Sequence, residues 1–79
     1  MEYFLVFGSA HRALKAEAVL KGSSIQFKLL PAPKPLVKYC GLVIRVAGIE
    51  LTAASSALKK GGVKVKSIYK REGDGYVEV

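Results

Sequence analysis

Apolar and polar residues along this chain change their spacing several times, and each change marks a boundary between predicted elements. The opening run, EYFLVFG, is short and almost wholly apolar, as in a strand buried on both faces. The segments IQFKLL and VKVKSIYK alternate apolar and polar residues as half-exposed strands do. A further run, LVIRV, has the β-branched composition of a strand. The predicted strands are residues 2–8, 25–30, 42–46 and 63–70.

Two helices are predicted between these strands. The first covers residues 10–22, which are rich in helix formers, with Ser9 placed as an N-cap and Gly22 at the end. Its predicted buried face consists of Ala10, Ala13, Leu14, Ala16 and Leu20. The second covers residues 49–60, where apolar residues recur at helical spacing and two glycines follow.

Two segments lie outside this pattern. Prolines at positions 31, 33 and 35 predict an extended loop that joins no strand ladder. The last residues, EGDGYVEV, contain a turn signal that would either begin a short terminal hairpin or leave a frayed end.

The order of elements, β-α-β followed by β-α-β, predicts an α+β fold. Its most economical form is the ferredoxin-like βαββαβ arrangement, a four-stranded antiparallel sheet in the order 4-1-3-2 with both helices on one face. A C-terminal hairpin strand would be an addition to it. A doubly wound parallel sheet would need a third crossover helix, and the pattern supplies none. With 79 residues, the chain is predicted to be one domain, residues 1–79.

Composition narrows the class of protein. At 51% hydrophobic and 24% charged residues, the chain should fold rather than remain disordered. The first apolar run is too short for a membrane span and lacks the basic start of a signal peptide, while a single cysteine permits no disulfide framework. We therefore expect a cytoplasmic protein without a membrane partner. Thirteen basic and six acidic residues, a net +7, favour anionic partners.

The lone cysteine, Cys40, is the candidate reactive group. In the predicted sheet, the third strand starts beside the end of the first, which would bring Cys40 next to Ser9, Ala10 and His11. A helix N-terminus and nearby basic groups favour a thiolate, so the thiol pKa is expected below the usual value of about 8.5. Gly41 would leave space for an approaching partner. The alternative is a purely structural role, in which Cys40 packs as a small hydrophobic residue.

Other candidate chemistry is basic rather than catalytic. Four lysines are predicted to form a basic edge around the thiol that recruits a partner: Lys34, Lys38, Lys59 and Lys60. One cysteine and one histidine are too few for a closed zinc site, and no phosphate-binding glycine motif occurs. No metal or cofactor is predicted.

Several modest motifs, taken in order, resemble a known family. They are YFLVFGSAHRALKAEAVLK, PAP, CGLVIRV and GGVKVKSIYK, and together they span residues 3–70. The chain thereby resembles the selenium/sulfur carrier-like family, small single-domain proteins with a Cys-Gly motif. The resemblance implies that Cys40 carries sulfur or selenium as a persulfide or selenide adduct. The segment before the Cys-Gly pair is small and serine-rich in the family, whereas here it is the bulkier and more basic LVKY.

The function predicted is therefore that of a carrier, which takes a chalcogen from a donor protein onto Cys40 and passes it to an acceptor protein. Such a protein is a thiol carrier more than a turnover enzyme. One alternative is a structural or regulatory domain that binds partners, or a second copy of itself, through its edge strands. A less favoured alternative is an RNA-binding module, because LVIRV lacks the aromatic residues on which bases stack.

Overall fold

A sheet of five antiparallel strands forms one layer of the fold in the computed structural model, which describes residues 1–36 and 41–79. The strands are β1 (Glu2–Val6), β2 (Lys28–Pro31), β3 (Leu42–Ala47), β4 (Ser67–Glu72) and β5 (Gly75–Glu78). The helices are α1 (Ala10–Gly22) and α2 (Gly48–Lys60), and a 3₁₀ turn covers Lys34–Leu36. The strand order is β2-β3-β1-β4-β5.

This α+β architecture is consistent with the predicted ferredoxin-like fold, and β4, β1, β3 and β2 lie in the predicted 4-1-3-2 order. The sheet differs from the predicted four-stranded one in having five strands. A fifth strand, β5, pairs with β4 and extends the sheet beyond it. Gly73, with φ at 57°, holds the left-handed conformation that a two-residue hairpin loop of type II′ needs at its first position. Of the two alternatives for the C-terminal segment, the hairpin is therefore the one that forms.

The central strand is β1, because its apolar side chains find cover on both faces of the sheet. It pairs with β3 on one side and with β4 on the other, and residues 4–7 are at most 3% exposed. Leu5 and Phe7 pack under the two helices. Phe4 and Val6 point to the opposite side, which neither α1 nor α2 covers and which is called the open face below.

Helix α1 begins and ends where the sequence predicts, but its buried face is narrower. Ala13, Ala16 and Leu20 are buried, whereas Leu14 is 49% exposed and Ala10 is exposed. The three buried positions follow i, i+3 and i+7 spacing, so Leu14, one residue from Ala13, is rotated out of the contact stripe. The prediction of Ala10 and Leu14 as core residues was wrong.

Helix α2 follows β3 directly, starting one residue before the prediction. The Gly48 N–H donates to the Met1 carbonyl oxygen at 2.7 Å, which ties the start of the helix to the start of β1. Gly61 follows its last turn, and a Cβ there would lie only 2.8 Å from a methyl carbon of Val19. The predicted glycine stop is thus also a point of close contact with α1.

Two predicted strands begin later in the structure than in the sequence pattern. Residues 25–27 precede β2 because the Gln26 N–H donates to the Glu50 carboxylate, at 3.2 Å, instead of to the strand ladder. Residues 63–66 precede β4 and connect it to α2, with Val63 buried and its N–H donating to the Leu58 carbonyl oxygen. The apolar side chains of both segments pack into the helix-side core, as their alternation indicated, although neither segment belongs to a strand.

The proline-rich segment is more ordered than the predicted extended loop. Pro31 ends β2 opposite Leu42, a tolerated place because β2 is an edge strand. Lys34–Leu36 then form the 3₁₀ turn, which buries Leu36 against Phe4, Val6 and Val43 on the open face. Within residues 1–36 and 41–79, no helix has the length and apolar content to cross a membrane.

Candidate functional site at the end of the first strand

Three segments of the chain meet where β1 ends. Val6 lies opposite Val43 of β3 on one side and opposite Ser67 of β4 on the other. The Lys66 N–H donates to the Val6 carbonyl oxygen at 2.8 Å, and the Gly41 carbonyl oxygen accepts from the Ala32 N–H at 3.0 Å. The approaches to β3 and β4 therefore lie at the same edge of the sheet as the exit from β1, called the exit edge below.

The chain turns from β1 into α1 through Gly8 and Ser9. Gly8 has φ at +85°, a left-handed conformation that other residues adopt only with strain. Ser9 is extended, and its Oγ accepts a hydrogen bond from the Arg12 N–H at 3.2 Å. The predicted N-cap is thereby confirmed, and the capping satisfies one of the free N–H groups at the helix start.

A depression of about 330 Å³ lies beside the first turns of α1. It is lined by Ser9, His11, Arg12, Lys15, Gly62, Val63 and Lys64. The lining contains one arginine, two lysines and no acidic side chain, so its potential is positive. Buried Val63 anchors the segment that brings Lys64 to α1. This arrangement suits an anionic group or an acidic surface, and it is called the basic depression below.

The structure brings some of the predicted site residues together at this edge. Ser9 and His11 line the basic depression, and Ala10 is the first residue of α1. Gly41 is exposed directly before β3, and a Cβ built there meets no atom of residues 1–36 and 42–79 within 4 Å. Cys40 itself lies outside the described residues.

The predicted basic residues are more dispersed. Lys60 lines a different depression, with Ser23 and Ile25 near the end of α1, and exposed Lys59 belongs to the same last turn of α2. Lys34 is exposed in the 3₁₀ turn, and Lys38 lies outside the described residues. Instead, Gly62–Lys64, in the loop after α2, lie beside the start of α1.

Three residues of the basic depression were missed by the sequence reasoning. Arg12 and Lys15 follow Ser9 at intervals of three, a spacing that puts all three on one side of a helix. That spacing was a usable signal. Lys64 carried no such signal, because its approach to α1 depends on how α2 packs. Arg12 also donates from Nη1 to the Phe7 carbonyl oxygen at 3.4 Å, which holds its side chain over the end of β1.

The open face offers no accessible aromatic on its central strand. Phe4 is only 3% exposed, since the ring of Tyr76 meets it edge-on at 5.2 Å and Leu36 packs in the same cluster. Near it, Glu2 lies between Arg45 and Arg71 at 3.6 and 3.4 Å. A base could not stack on Phe4 without displacing these groups.

Metal binding also lacks support in the described part of the chain. Among residues 1–36 and 41–79, no three histidine or acidic side chains are grouped to hold a metal ion.

Comparison with known proteins identifies a family for most of the chain. The family described as "Putative Se/S carrier protein-like" matches residues 2–70. No curated protein and no solved structure matches the chain. The matched range runs from the start of β1 into β4 and leaves β5 outside it.

Proposed function

The chain belongs to the Se/S carrier-like family, and on that premise we propose that it carries sulfur or selenium on Cys40 between a donor and an acceptor protein. The observation that supports the proposal is the arrangement of residues at the exit edge. In the described part of the chain no atom crowds a Cβ placed on Gly41, the residue after Cys40, and the start of α1 and the basic depression lie at the same edge.

The transfer needs no outside oxidant or reductant. The Cys40 thiolate attacks the outer sulfur of a donor persulfide, the donor's S–S bond breaks, and the donor leaves as a thiolate. Cys40 then holds the sulfur as a persulfide. An acceptor thiolate repeats the same exchange, and Cys40 returns to a thiolate. With selenium in place of the outer sulfur, the donor's S–Se bond breaks and an S–Se bond to Cys40 forms.

Two features of the exit edge support this transfer chemistry. The N–H groups at the start of α1, with Ser9, Ala10 and His11 around them, stabilise negative charge on the Cys40 sulfur or its adduct. Arg12, Lys15 and Lys64 raise the local concentration of acidic donor or acceptor surfaces. The other predicted basic residues would attract acidic surfaces at longer range: Lys34, Lys38, Lys59 and Lys60.

Intact-mass measurement tests the carrier function directly. The protein is incubated with a low-molecular-weight persulfide donor and separated from it. Its intact mass is then measured before and after addition of a thiol. We expect a gain of one sulfur atom that is lost again to the thiol, and no gain in the Cys40→Ser variant. A wild-type protein that gains no sulfur, or a Cys40→Ser variant that gains as much, would refute the proposal.

A matched pair of variants tests recruitment by the basic depression. Lys15→Gln with Lys64→Gln removes two charges from the depression, and Lys21→Gln with Lys28→Gln removes two exposed charges elsewhere. Retention on immobilised poly-glutamate should fall further for the first pair, and the difference should shrink as salt is raised. Equal losses would mean that only net charge matters.

A partner-binding domain without thiol chemistry remains the second candidate. Exposed Val77 on β5 and exposed Val79 just after it favour this candidate. An RNA-binding function is not proposed, because Phe4 of the central strand is covered.

A further inference from the structure

The outer edge of β5 is the least protected edge of the sheet. At the opposite edge, β2 has only four residues, begins with a lysine and ends with a proline, all features that discourage further strand pairing. β5 is equally short but has neither lysine nor proline, and its sequence GYVE continues to Val79. A strand of this kind is a template for pairing with another chain.

One side of β5 is apolar and uncovered. Val77 lies opposite Lys70, which lies opposite Tyr3, so Val77 is on the same side of the sheet as the helices. The helices pack mainly against β1 and β3. As a result, Val77 is 48% exposed and Val79 is 73% exposed.

Backbone geometry shows which groups of β5 are directed outward. The Val79 N–H donates to the Ile68 carbonyl oxygen at 2.9 Å, so Val79, Val77 and Gly75 turn their polar groups toward β4. In an antiparallel strand the direction alternates from residue to residue. Tyr76 and Glu78 therefore present their N–H and C=O groups to the outside of the sheet.

We propose that β5 pairs antiparallel with β5 of a second copy of the chain, with the two-fold axis at Val77. In this register Tyr76 exchanges backbone hydrogen bonds with Glu78 of the second copy, and the two Val77 side chains meet. Two other two-fold registers are compatible with the outward groups. One sets Asp74 opposite Glu78, and the other sets two Glu78 residues opposite each other, so both bring like charges together. Charge selects the register at Val77.

This pairing would extend the sheet from five strands to ten and would leave the exit edge free, since the exit edge lies where β1 ends. Because β5 is outside the range matched by the family, the pairing concerns this chain and rests on its own residues. It is independent of the proposed carrier function.

Sedimentation at rising protein concentration, up to about 1 mM, tests the association. We expect the wild type to show a growing dimer fraction and Val77→Lys, which sets two lysines at the axis, to stay monomeric. Leu14→Lys is the matched control, because Leu14 is equally exposed but lies on α1. It should dimerise like the wild type. A monomeric wild type, or equal behaviour of the two lysine variants, would overturn the proposal.

Disulfide trapping tests the register in a Cys40→Ser background. Directly opposed residues in a non-hydrogen-bonded pair have Cα atoms about 4.5 Å apart, within the range of a disulfide. Val77→Cys should therefore cross-link to its counterpart under oxidised glutathione. Tyr76→Cys should not, because in this register its counterpart is displaced by two residues, about 7–8 Å away. Cross-linking of both variants to the same extent, or of Tyr76→Cys alone, would refute the register.

Discussion

Leu36 anchors the segment that leads to Cys40, and its removal provides a measurable perturbation. Its side chain is 1% exposed and packs with Phe4, Val6 and Val43 on the open face. The rest of its turn, Lys34 and Pro35, is exposed. We therefore expect Leu36→Ala both to lower the free energy of unfolding and to release the segment from the sheet.

The magnitude follows from burial and from the neighbours that remain. Leucine-to-alanine changes in cores cost about 2–5 kcal/mol, and the cost falls when the surroundings can close the cavity. Leu30 and Ala32 pack at the margin of this cluster and are only partly buried, so they can shift toward the gap. We expect a loss of about 2–3 kcal/mol. A domain of 79 residues has about 4–12 kcal/mol of stability, so the variant should still fold.

Urea unfolding and thiol alkylation together test this reasoning, with Leu20→Ala as the control. Leu20 is equally buried but packs in the helix-side core. Both variants should lower the unfolding free energy, whereas only Leu36→Ala should speed alkylation of Cys40 under native conditions. An unfolding free energy within about 0.5 kcal/mol of the wild type would show that Leu36 is not buried in solution. Equal alkylation of both variants would show that Leu36 does not control access to the thiol.

Three further predictions concern the exit edge. Ser9→Ala should cost about 0.5–2 kcal/mol in urea unfolding because the Arg12 N–H loses its acceptor, while Ser9→Asp, which keeps a capping oxygen, should cost much less; equal losses would argue against capping. Gly8→Ala should destabilise the protein by about 1–2 kcal/mol, because φ is +85° at this position. Gly41→Ala should stay within about 0.5 kcal/mol of the wild type, because no described atom crowds a Cβ there. Thermal unfolding that shows the reverse order of stabilities would contradict this geometry. Alkylation rates across pH should give a Cys40 thiol pKa below about 8.5 that rises modestly in His11→Gln, and an inflection at or above that value would remove the proposed activation.

The sequence pattern was most reliable where local chemistry and burial agree. Helix α1 has its predicted bounds because Ser9 is a strong N-cap and the alanine-rich interior favours a helix. The continuous apolar run of β1 correctly indicated a strand covered on both faces. For the site, the same local signals predicted that Ser9, Ala10 and His11 start a helix, and strand order alone suggested that Gly41 lies at the same edge.

Tertiary structure decided the features that depend on partners distant in the chain. β2 begins after its predicted start because the carboxylate of Glu50, twenty-four residues away, accepts a hydrogen bond from the Gln26 N–H. Helix α2 begins directly after the last residue of β3. The basic depression contains Lys64 rather than Lys60, since α2 ends beside Val19 and its following loop continues to the start of α1. Periodicity reports which face of an element is buried, but it carries no information about which other element covers that face. Local propensity and burial thus determine the elements of this protein, and packing between them determines which charges meet at its site.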